Sequence, residues 1–134
     1  MRLATGVDLV NIARVERVVQ RYGERFLQRI YTEQERTFAR GRPAELAARF
    51  AAKEAVAKTL GVGMRLLSPI GVGWHDVEVL NERSGRPYVV LRGRAQALAQ
   101  SQGLTEWSIS LSHDGGMAIA FVVAMGKSKI ENDK

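Results

Sequence analysis

An aspartate at position 8 interrupts an alternating stretch, Leu3 to Val10, in which Leu3, Thr5, Val7 and Leu9 share one strand face and Ala4, Gly6, Asp8 and Val10 the other. Aspartate is depleted in strands and seldom buried without a partner, and the small residues on its face leave room beside it. Two readings follow: a carboxylate capping a helix that begins near Asn11, or one ligand of a hard divalent cation. Glu54 and Lys58 stand one helical turn apart. By itself that spacing describes a surface ion pair worth roughly a few tenths of a kcal/mol. In the other reading Glu54 supplies a second carboxylate and Lys58 turns a positive charge toward the same volume. His113 ends an alternating run before a glycine-rich turn, as a structural hydrogen-bonding residue or as a ligand contact, while His75 carries no assignable role.

Several segments must position these groups. Asn11 is a good N-cap for a helix through Tyr22, with Ile12, Val15, Val18, Val19 and Tyr22 inward, Arg14, Arg17 and Arg21 outward, and Gly23 as terminator. Phe26, Leu27 and Ile30 predict a short second helix, and Thr32 with Glu35 forms a capping-box pattern for a third. Pro43 suits the first turn of a long Ala-rich helix ending before Gly61, with Leu46, Phe50, Ala57 and Leu60 at helical spacing. Gly61 to Gly73 reads as a loop, Trp74 to Leu80 as a strand, Asn81 to Pro87 as a turn and Tyr88 to Leu91 as a strand. Gly93 to Gln102 reads as a helix. Thr105 to His113 alternates as a strand, and Asp114-Gly115-Gly116 turns it into a hairpin with Met117 to Met125. Gly126 to Lys134 lacks apolar patterning and is expected to be a flexible tail. Helices early and mostly antiparallel strands late predict an α+β domain over residues 1–125.

With 134 residues, 46% of them hydrophobic and 25% charged, the chain has the composition of one folded domain. It contains no cysteine, which excludes disulfides, thiolate ligands and a cysteine nucleophile, and fits a reducing compartment. No run is long enough to span a membrane, and Asp8 interrupts what would be a signal-peptide core, so a cytoplasmic protein is expected. There is no Walker pattern and no Gly-x-Gly-x-x-Gly fingerprint, which disfavours ATP hydrolysis and a dinucleotide fold. Residues 1–60 hold 12 of the 20 Lys and Arg but 7 of the 14 acidic residues, so the net charge of +6 sits mainly in the first half and suits an acidic partner.

Three blocks in order, Gly6-Val7-Asp8, Phe50-Ala51-Ala52-Lys53-Glu54-Ala55-Val56-Ala57-Lys58 and Ile109-Ser110-Leu111-Ser112-His113, resemble the signature of the holo-[acyl carrier protein] synthases, the small class of 4'-phosphopantetheinyl transferases. The resemblance runs over roughly residues 2–125. It implies the 4'-phosphopantetheinyl transferase fold, with helices packed on a mostly antiparallel sheet and one half-unit per chain. It also implies transfer of the phosphopantetheine arm of coenzyme A to a serine of apo acyl carrier protein, with 3',5'-ADP leaving, within the lipid metabolism that such carriers serve.

By the same resemblance Asp8 and Glu54 would hold magnesium, with manganese as the alternative ion, and Glu54 and Lys58 would act in the chemistry, Glu54 as ligand or base and Lys58 at the leaving group. Arg49, Lys58, Gly61, Gly85, Arg86, Pro87 and His113 would contact coenzyme A. Arg14, Arg21 and Arg25 would dock the acidic carrier protein, with Arg17 adding to the field. A homotrimer is implied, one subunit offering Asp8, Glu54 and Lys58 while a neighbour completes the cofactor and carrier sites. Two departures stand out: Thr59, where the family often has alanine, and a longer, more apolar Arg65 to Gly73 linker.

Two rival readings carry different expectations. A noncatalytic nucleic-acid-binding module, motivated by the basic first half, needs neither Asp8 nor Glu54 and binds less well as salt rises. A trimeric scaffold would keep the fold without the chemistry.

Overall fold

The computed structural model describes residues 1–65 and 70–127. Strand β1 (Arg2–Asn11) leads into α1 (Ile12–Tyr22), α2 (Glu24–Ile30), α3 (Glu33–Ala39) and the long α4 (Pro43–Thr59). A 3-10 turn (Trp74–Asp76) opens the second half, followed by β2 (Val77–Asn81), β3 (Pro87–Leu91), α5 (Gly93–Ser101), β4 (Leu104–Asp114) and β5 (Met117–Gly126). These strands pair antiparallel: one sheet has the order β1-β5-β4, and β2 and β3 form a separate hairpin. The α+β expectation holds, with the antiparallel strands divided between two sheets.

Local chemistry accounts for the boundaries. Asn11 caps α1 by accepting from the Arg14 N–H at 3.1 Å, and Gly23 ends the helix at φ 58°. The Thr32/Glu35 capping box is complete in both directions. Gly115 and Gly116 have φ of 57° and 79°, the paired positive values that a two-residue hairpin loop requires.

Helix α4 is the central element, packed across β1 and β5. Its Ala47, Ala51, Ala52, Ala55 and Ala57 are buried in the same core as Ala118, Ala120, Val122 and Ala124 of β5, and such small residues let helix and sheet approach closely. Gly6 of β1 shows how close: a Cβ there would overlap the Ala55 carbonyl oxygen and the Thr59 hydroxyl. The Thr59 hydroxyl donates back to Ala55 O at 2.8 Å, so threonine is accommodated at this position.

The other face of the large sheet is apolar and open. Leu3, Val7 and Leu9 are 51–63% exposed, and β5 adds exposed Ile119 and Phe121 opposite Leu9 and Val7. Among the described residues no helix is long and apolar enough to cross a membrane.

Three expectations change. Tyr22 is 55% exposed rather than inward: it is the last residue of α1, where Gly23 turns the chain, and its ring lies under the Arg21 guanidinium, 5.4 Å from ring centroid to Cζ. Trp74 to Asp76 forms a 3-10 turn rather than the start of a strand, since the Asp76 carboxylate accepts from the Gly73 N–H at 3.1 Å and coils the segment before β2. Gly126 is the last residue of β5, paired with Arg2 and Leu104. The rest of the expected tail, 128–134, and linker residues Leu66, Leu67 and Pro69 lie outside the described residues.

Candidate active site

Asp8 lies on the face of β1 that α4 covers, and α4 presents Glu54 and Lys58 to it. The Lys58 ammonium donates to Asp8 Oδ1 at 2.7 Å and to the Val7 carbonyl at 3.3 Å. The partner of Lys58 is therefore Asp8, across two elements, and not Glu54 one turn back on its own helix. Asp8 caps nothing, since Asn11 fills that role.

Glu54 is partly buried, and burial first, then the nearby Asp8 charge, push its carboxyl pKa above the ordinary range, with Lys58 pulling the other way. The hydrogen bond to Asp8 holds Lys58 above its usual value. Two carboxylates that repel each other, with one ammonium beside them, form an all-oxygen donor pair suited to a hard divalent cation whose remaining positions are taken by water and substrate phosphate. Among the described residues no group of three metal-binding side chains occurs, so the pair alone would hold such an ion.

A cavity of about 370 Å³ adjoins this cluster. Asp8, Glu54, Asn11 and Arg14 form its polar side, and Val15, Val18, Phe26 and Phe50 its apolar side. The hairpin turn braces its rim, Ile12 N–H donating to Gly116 O at 2.9 Å. Arg14, Arg17 and Arg21 follow one another along the exposed side of α1 with Arg25 on α2, so the cationic stripe borders an apolar hollow.

Of the residues assigned to coenzyme A by resemblance, four meet in a second cavity of about 300 Å³: Arg49, Gly85, Pro87 and His113. Arg86 is exposed in the turn between Gly85 and Pro87 and does not line it. Gly61 lines neither cavity; it ends the α4 turn at φ 78°, its N–H donating to Lys58 O at 3.0 Å. Arg49 is buried. Its guanidinium bonds Glu45 at 2.8 Å and Asn81 Oδ1, lies 4.3 Å from the Phe38 centroid, and leaves Nε without an acceptor. Burial holds its pKa below the usual arginine value, opposed chiefly by Glu45.

Arg49 and Glu54 are five residues apart on α4 and so project about 140° apart around its axis. One chain thus presents the carboxylate cluster and the Arg49 cavity on different sides of the same helix.

Sequence reasoning missed Asn81 and Phe38. Asn81 links Arg49 to the Gly85 carbonyl, accepting from one and donating to the other at 2.9 Å; in the sequence it looks like any turn residue before a glycine. His75 donates from its ring to Gln28 O at 2.8 Å, away from both cavities, which accounts for it structurally.

A sequence model of the 4'-phosphopantetheinyl transferase superfamily matches residues 4–123. A holo-[acyl-carrier-protein] synthase of Herpetosiphon aurantiacus is 48% identical over 126 residues, 92% of this chain and 99% of that protein. One of Roseiflexus castenholzii is 51% identical over 109 residues, 81% of this chain and 79% of that protein. Among solved structures, the Helicobacter pylori holo-[acyl-carrier-protein] synthase in complex with coenzyme A superposes with TM-score 0.79 at 30% identity, covering 90% of this chain and 99% of that one.

Proposed function

The chain belongs to the 4'-phosphopantetheinyl transferase superfamily, and from that premise we propose that it is a holo-[acyl carrier protein] synthase, transferring 4'-phosphopantetheine from coenzyme A to a serine of apo acyl carrier protein. The observation that carries the reading is the meeting of Asp8, Glu54 and Lys58 beside a cavity with a cationic rim. Neither a nucleic-acid-binding module nor a scaffold requires that meeting.

The serine Oγ of the carrier attacks the phosphopantetheine phosphorus, the pyrophosphate P–O bond breaks and 3',5'-ADP departs with its electron pair. The serine proton must leave as attack proceeds. Glu54, directly or through a water ordered by the metal, is the group placed to take it, standing beside Asp8 on the wall of the cavity. The Lys58 ammonium, on an exposed side chain beside Asp8, stabilises charge on the leaving phosphate. Asp8 and Glu54 would hold magnesium, or manganese in its place, which when bound supplies Lewis-acid stabilisation of the phosphoryl oxygens.

The cavity of Arg49, Gly85, Pro87 and His113 suits the nucleotide end of coenzyme A, and its separation from the carboxylates within one chain favours a site completed by a neighbouring copy. The open apolar face of the β1-β5-β4 sheet supports self-association as a homotrimer. Arg14, Arg21 and Arg25 steer the acidic carrier, and the hollow walled by Val15, Val18, Phe26 and Phe50 receives its apolar side chains. The absence of cysteine fits a cytoplasmic setting. Chromatographic detection of 3',5'-ADP tests the reading: it should accumulate only when coenzyme A and an apo carrier are both present, and coenzyme A consumption without a carrier would contradict it.

A further inference from the structure

Lys53, one residue before Glu54, is completely buried, as is its partner Glu35. All three ammonium hydrogens have acceptors: Glu35 Oε1 at 2.8 Å, Trp74 O at 2.8 Å and Val77 O at 2.5 Å. Glu35 is itself held, accepting from the Thr32 N–H at 2.8 Å and the Val79 N–H at 2.8 Å. Desolvating such a pair is costly, and an apolar side chain of similar volume would usually serve packing at least as well. A role in placement explains why the charge is there.

We infer that Lys53 is a positioning residue for the proposed site, tethering α4 to the Trp74–Val77 backbone and so fixing where Glu54 stands against Asp8. The buried alanines of α4 permit close approach but carry no directional contact of their own. Gly6 against Ala55 sets the distance to β1, and Lys53, two residues away on the opposite flank of α4, bonds the helix to the Trp74–Val77 backbone. The same tether holds Trp74, whose ring lies 4.9 Å from that of Phe50, a wall of the carrier-facing cavity. The inference rests on the proposed synthase reading.

The test compares wild type, the neutral pair Glu35→Gln/Lys53→Met and the charge-conserving Lys53→Arg by thermal unfolding, manganese binding in electron paramagnetic resonance, and steady-state kinetics. In whichever variants fold, manganese affinity and kcat should each fall by about tenfold or more while KM for coenzyme A changes by less than about threefold, as expected when a supporting contact behind a ligand is lost. Lys53→Arg keeps the charge but cannot reach three acceptors from one nitrogen, so it decides the matter if the neutral pair fails to fold. Manganese binding and turnover at wild-type levels in either folded variant would overturn the inference. A wild-type chain that neither binds manganese nor loads a carrier would instead overturn the synthase reading, and this inference with it.

Discussion

Lys58 Nζ sits 2.7 Å from Asp8 Oδ1, joining residues 50 positions apart on a strand and a helix that nothing local brings together. The pair holds a cation against a carboxylate that, in the proposed chemistry, is needed by a metal. Asp8→Ala frees Lys58 and removes one ligand while deleting only an ion pair with one exposed partner, which contributes little to stability. The variant should melt close to wild type yet lose more than about a hundredfold in carrier loading, measured at saturating magnesium. Loading near the wild-type rate would remove Asp8 from the mechanism.

Glu54 gives a pH signature. Its folded-state pKa is raised by burial and by Asp8, so in metal-free protein the ionised form costs stability: the contribution is intact below the unfolded carboxylate pKa and is lost as pH rises through the raised folded value. Melting temperatures taken in chelator should therefore carry a downward component across that window, absent in Glu54→Gln. Identical slopes in the two proteins would show that Glu54 is not under this pressure.

Arg14 borders both the carboxylate cavity and the open basic side of α1. Arg14→Glu should raise KM for the carrier by about tenfold, more at low salt than at high, while KM for coenzyme A stays near wild type. Equal changes in both constants would count against a docking role.

A site shared between copies predicts rescue in mixed oligomers. Asp8→Ala and His113→Glu chains, each inactive alone, should regain up to about a quarter of wild-type activity when unfolded and refolded together, the share of sites that random mixing leaves intact in a cyclic trimer. His113 is exposed, so its substitution should leave the fold in place. Continued inactivity of well-mixed trimers would place the complete site within one chain.

Much of the scaffold was readable because its signals are local. The Asn11 cap, the Thr32/Glu35 box, Pro43 at the start of α4 and the Gly115-Gly116 turn each depend on residues within a few positions of one another. Asp8 stood out as an aspartate in a strand, Glu54 and Lys58 only through the longer block that resembles the family, and the three do come together. What stayed hidden depends on distant backbone. Lys53 looked like one letter of a motif, since its acceptors are carbonyls 21 and 24 residues onward. Arg49 was named only through the resemblance, and nothing near it in the sequence foretold its burial with Asn81 and Phe38. Tyr22 was misread because helical spacing predicts a face but not that the last residue before the Gly23 turn stays exposed.

The most direct measurement is the intact mass of an apo acyl carrier protein incubated with this chain, coenzyme A and magnesium, with and without chelator. The account predicts a gain of about 340 Da, the formula mass of the transferred arm, on the carrier serine and its loss on chelation. An unchanged mass across several apo carriers, with the chain folded and coenzyme A intact, would contradict it.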